Sequence, residues 1–115
     1  MPRQRRPNRR TGLTIPVKHD NGEYLVTYNF IQSKITECFC SLGEAHRVGT
    51  DVRAIIEDAC IAISKLLQEG ETIAEIAKSF GENRGEGETS GPPSSLLGAI
   101  ARAGVELEAW VERPG

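Results

Sequence analysis

Three cysteines, two histidines and a cluster of arginines are the residues of this chain whose types and spacing offer chemistry. Cys38 and Cys40 lie two apart in an alternating segment, so their sulfurs share one face of a strand, and Cys60 falls near the apolar stripe of a helix. With His19 or His46 they would supply enough ligands for a tetrahedral zinc site. Structural zinc sites use C-x-x-C knuckles, however, and free cysteine is among the most buried residue types, so the three are read as core residues and no metal or cofactor is expected. An odd number of cysteines also argues against a closed disulfide framework. His19 and His46 both fall in polar turns, with no Ser, Cys or Asp at a spacing that suggests a nucleophile triad, and they are read as solvated.

Arg3, Arg5, Arg6, Arg9 and Arg10 crowd the first ten residues. They could neutralise several phosphates and give salt-dependent, sequence-independent affinity for nucleic acid, or simply keep a tail in solution. Five of the fourteen basic residues sit there, and the remaining nine face sixteen acidic ones, so the body from Thr11 onward carries −7. That charge works against polyanion binding by the body itself. The segment ETIAEIAKSFG resembles the first helix of a helix-turn-helix, but the helix after it carries one arginine and two glutamates, which does not make a DNA-reading helix. The stretch 81–91, rich in glycine and glutamate, lacks the G-K-[ST] ending of a phosphate loop.

The elements that must position these residues follow from periodicity. Residues 1–12 contain Pro2, Pro7, the arginines and no apolar residue beyond Met1, and are expected to be disordered. Leu13, Ile15 and Val17 alternate with polar partners as a strand, placed at a sheet edge by Pro16. Asp20-Asn21-Gly22 is a hairpin turn, 23–30 the returning strand, 31–34 a second turn, and 35–42 a third strand. In that third strand Cys38, Cys40 and Leu42 take one face and Ile35, Glu37 and Phe39 the other.

A helix opens at Thr50 or Asp51, carries Val52, Ile55, Ile56, Ala59, Ile63, Leu66 and Leu67 as one apolar stripe, and stops at Gly70. Thr72-Ile-Ala-Glu75 is a capping box opening a second, shorter helix. A flexible loop spans 81–91, and Ser94 or Ser95 caps a third helix, which Gly104 is expected to shorten or bend. The fold class is α+β: a three-stranded antiparallel meander packed against three helices in a single domain over 13–112. No apolar run reaches membrane-spanning length and the basic N-terminus lacks the apolar stretch of a secretory signal, so a cytoplasmic protein is expected.

The order of signals is similar to that of a known family. A strand–turn–strand precedes Glu37, Phe39 and Ser41 in an E-x-F-x-S strand; Gly49, Thr50 and Asp51 start a helix; AIIEDACIAISKLLQEGETIAEIAKSF, a glycine-rich loop and GPPSSLLGAIARA follow. This resembles the TSCPD-type domain at the C-terminal end of cobalamin-dependent ribonucleotide reductases and in short stand-alone reductase-like proteins, over about residues 13–103. The resemblance implies aliphatic residues at the positions of Cys38 and Cys40, which agrees with a core role.

The chain has no Thr-Ser-Cys-Pro-Asp run, and the radical-generating barrel, active-site cysteines and cobalamin site of full reductases are not matched, so catalysis is not carried over. What the resemblance implies is a non-catalytic accessory or binding module acting on a protein partner, on itself or on a nucleotide. Its expected surface is the sheet face away from the helices, marked by Phe39 and Ile35, with Arg47, Arg53 and Arg84 flanking the loops as phosphate contacts. Nucleic-acid binding through the arginine arm is the alternative.

Overall fold

The computed structural model describes residues 10–20, 22–41 and 50–113. Three strands, β1 (Arg10–His19), β2 (Gly22–Ile31) and β3 (Lys34–Ser41), form an antiparallel meander in the order β1-β2-β3, followed by helices α1 (Thr50–Gln68), α2 (Ile73–Lys78) and α3 (Leu96–Glu112). The α+β architecture is the expected one. β1 starts earlier than the pattern suggests, because pairing of Arg10 with Ile31 extends the ladder through residues 10–12, which the sequence assigns to the arm. The rest of the arm lies outside the described residues.

Both hairpin turns are two residues long. Asp20 adopts positive φ in the first; Gln32 and Ser33 do so in the second, a left-handed turn made without glycine or asparagine at about 1–2 kcal/mol per residue. The core is a layer of Val17, Val26, Tyr28, Phe30 and Cys38 on one sheet face against Ile63 and Leu67 of α1, Ile73 and Ile76 of α2, and Ile100 and Ala101 of α3. Thr72 caps α2 as expected, its side chain accepting the Glu75 N–H at 3.1 Å, and Ser95 caps α3 through the Gly98 N–H.

Three features depart from the pattern. A register shift between Asn29 and Phe30 makes Thr36 an extra residue in β3, a bulge that reverses the alternation beyond it. Ile35 therefore points into the core, 4 % exposed and opposite Phe30, and its assignment to the open face is corrected. α3 runs unbroken through Gly104, whose missing side chain has a packing reason. A Cβ there would come within 3.0 Å of the Tyr28 ring and 3.1 Å of Ile73. The single apolar stripe expected on α1 is really two: Ile56, Cys60, Ile63 and Leu67 are buried, whereas Val52, Ile55 and Leu66 are exposed.

The loop 81–91 is drawn together at its base. Asn83 N–H donates to Pro92 O at 2.8 Å, Ser94 N–H to Gly81 O at 3.0 Å, and Arg102 of α3 binds Glu82 at 2.7 Å. Gly91 is required there, because any Cβ would collide with the Asn83 carbonyl.

Candidate functional site

β3 divides the surroundings of its cysteines into a buried side and an open one. On the buried side, α1 runs antiparallel along the free edge of the strand. An edge strand presents unpaired N–H and C=O groups, which must be satisfied or exposed. Here a row of α1 side chains four residues apart takes them. The Cys40 N–H donates to Cys60 Sγ. The Cys38 N–H donates to Ser64 Oγ at 3.0 Å, and Ser64 Oγ donates back to Cys38 O at 3.4 Å. Gln68 Nε2 donates to Thr36 O at 3.4 Å. The match is metric: four helical residues advance about 6 Å, two strand residues about 6.8 Å. Beyond the bulge the Ile35 N–H goes to Glu108 of α3 instead, at 2.8 Å.

This arrangement fixes the chemistry of the thiols. Cys38 donates its S–H to Cys60, and that bond with burial raises the Cys38 thiol far above its ordinary range, while the same bond lowers Cys60. Burial pushes half-buried Cys40 up to about 11. Tyr28, raised by the same desolvation, keeps its hydroxyl protonated and donates it to Ile100 O at 2.7 Å. Reactive cysteines need an accessible thiolate, and none of these three has the combination. All are free thiols, and among the described residues no group of three His, Cys, Asp or Glu could hold a metal ion.

Among the described residues, no helix covers the other sheet face. Phe39 and Leu25, 49 % and 45 % exposed, stand diagonally on β3 and β2, and Pro16 of β1 lies directly across from Leu25. The Thr14 and Thr27 hydroxyls share a hydrogen bond of 2.7 Å beside them, and Asn29 donates to Glu37 at 2.9 Å. The result is an apolar patch with a polar border, on strands whose opposite face packs against the helices.

Two depressions lie elsewhere on the surface of the described residues. A polar cleft of about 440 Å³ lies between the first hairpin and α3, lined by Lys18, His19 and Asp20 on one side and Asn83, Arg102 and Glu106 on the other. An apolar groove of about 460 Å³ lies between α1 and α2, lined by Ala59, Ala62, Leu66, Ile76, Phe80 and Leu97.

Of the arginines expected to flank the loops, two lie among the described residues. Arg53 is exposed on α1, and Arg84 sits on the 81–91 loop, bound to Glu82 at 3.4 Å. Arg47, His46 and the arm residues Arg3, Arg5, Arg6 and Arg9 lie outside the described residues; Arg10 begins β1. Sequence reasoning singled out Phe39 correctly as an outward residue, but it missed Leu25 and Pro16 as its neighbours, which follow only from the register. It also missed Ser64 and Gln68, although their spacing from Cys60 was visible.

The model of the TSCPD domain family matches residues 1–106, and the chain belongs to that family. Searches of curated proteins and of solved structures return no match. No helix among the described residues is long and apolar enough to cross a membrane.

Proposed function

We propose that this chain is a non-catalytic binding module related to the C-terminal domain of cobalamin-dependent ribonucleotide reductases, and that it docks a reductase polypeptide on the open face of its sheet. The patch formed by Pro16, Leu25 and Phe39 carries the proposal. An antiparallel sheet can leave one face in water, but that face is then usually polar. Here the sheet keeps two large apolar side chains uncovered, diagonal to each other. The kind of partner is taken from the resemblance to the reductase C-terminal domain, and the raised thiols of Cys38 and Cys40 fit a binding role. A nucleotide-binding role has less support, because Arg53 and Arg84 stand on separate elements and Arg84 is engaged by Glu82.

Calorimetric titration of the chain against a cobalamin-dependent ribonucleoside-diphosphate reductase tests this. Binding is expected, weakened at least about tenfold by Phe39→Ser, as for truncation of an interface anchor. Deletion of residues 2–9 should leave it unchanged. Absence of binding to the reductase refutes the proposed partner. Affinity for DNA or RNA that falls with salt and disappears with residues 2–9 would instead establish the arginine arm as the functional element.

A further inference from the structure

Helix α1 has three sides, and two are occupied. Ile56, Ile63 and Leu67 enter the core, and Cys60, Ser64 and Gln68 hold the β3 edge. The third carries Val52, Ile55, Ala59, Ala62 and Leu66, at spacings of three, four, three and four. At 3.6 residues per turn these five fall within an arc of about 80°, and the row is about 21 Å long. Val52, Leu66 and Ala62 are exposed, and Ile55 is 62 % exposed, the highest value for any large apolar residue described. Alternating threes and fours are the spacing of a helix-pairing seam, and here the row they form faces away from this chain's own core.

We propose that α1 pairs antiparallel with α1 of a second copy of this chain, making a two-fold symmetric dimer through this seam. The small Ala59 and Ala62 at its centre let the two helices approach closely, and the groove between α1 and α2 continues the apolar surface beside them.

Charge selects the occupant and the direction. Asp58 and Lys65 line the solvent margin of the seam, seven residues apart, and both are exposed. With Ala59 opposite Ala62 of the second copy and Ile55 opposite Leu66, Asp58 of each helix meets Lys65 of the other, twice by symmetry. In parallel pairing the margin residues would instead have to meet the opposite margin of the partner, where Ile56 and Ile63 are already buried in the core. A seam of this length buries less than the roughly 1,200 Å² of a stable interface, so the dimer is a weak one. The seam and the sheet's open face are separate surfaces, and one chain can use both.

Sedimentation velocity on the full chain tests the proposal, over about 10 μM to about 1 mM because the interface is small. A monomer–dimer equilibrium is expected. Ile55→Glu should leave only monomer, with an unchanged circular dichroism spectrum and melting temperature. Asp58→Lys or Lys65→Asp alone should raise the dissociation constant about tenfold, since each puts two like-charge pairs across the seam, and the double variant D58K/K65D should restore it to within about threefold. The proposal is overturned by a monomer at every concentration, by a dimer indifferent to Ile55→Glu, by a dimer lost in Phe39→Ser, or by a double swap no better than the singles.

Discussion

Replacing Ser64 with alanine removes the side chain that serves both outward-pointing backbone groups of Cys38. The Cys38 N–H loses its 3.0 Å acceptor and the carbonyl loses a longer, weaker donor at 3.4 Å. Ser64 is itself the one buried polar residue among those described, so water does not take its place without a local opening. A buried donor left unpaired costs about 1–3 kcal/mol. Alanine returns about 0.5 kcal/mol of helix propensity, and the long carbonyl contact adds little. The net loss is about 1–2 kcal/mol, which in a domain of this size lowers the melting temperature by roughly 10 °C. Urea unfolding of Ser64→Ala measures the free energy, and hydrogen exchange at the Cys38 amide locates it. A loss below about 0.5 kcal/mol, with the Cys38 amide as protected as before, would refute the idea that α1 satisfies the β3 edge through this side chain.

Two further outcomes rest on the same core. Gly104→Ala should destabilise by about 1–2 kcal/mol in urea despite the gain of up to about 1 kcal/mol in helix propensity, because the new methyl overpacks Tyr28 and Ile73; a stabilised variant would mean the interface has slack. Stability should also fall with alkali. Cys38, Cys40 and Tyr28 are all raised in the folded chain, so above about pH 8.5 the unfolded thiols release protons that the folded ones keep, and unfolding is favoured progressively as the pH rises through about 11 for Cys40. Cys60, held low, opposes this as a single group against three. Urea midpoints flat to about pH 8 and declining beyond are expected, and a flat profile through pH 10 would contradict the thiol assignments.

What was legible in the sequence was local. The strands were read from alternation, the hairpins from turn residues, and α2 from a capping box whose Thr72–Glu75 bond is present at 3.1 Å. The outward direction of Phe39 followed from parity with Cys38 and Cys40. What was not legible depends on which segment lies beside which. Ile35 was assigned to the wrong face because one extra residue in β3 inverts parity, and nothing near Thr36 announces it. The clasp at the base of the 81–91 loop left only Gly91 as a trace. Gly104 reads as a helix breaker in isolation and as a fitted notch once Tyr28 is placed against it.

α1 gives the sharpest case of that difference. Seven apolar residues at spacings of three and four describe one wide stripe, and a wide stripe on a surface helix normally means a deep core contact. Helices that bury one broad face do not also carry a polar row at intervals of four within the fold. This one does, because β3 ends the sheet and its free N–H and C=O groups need partners. Satisfying that edge with Cys60, Ser64 and Gln68 rotates α1 so that only part of its apolar arc can reach the core, and Val52, Ile55 and Leu66 are left on the other side. The exposed seam is thus a consequence of how the sheet edge is closed. A substitution that loosens the edge, such as Ser64→Ala, should therefore weaken α1 pairing as well, whereas substitutions on the open sheet face should leave it untouched.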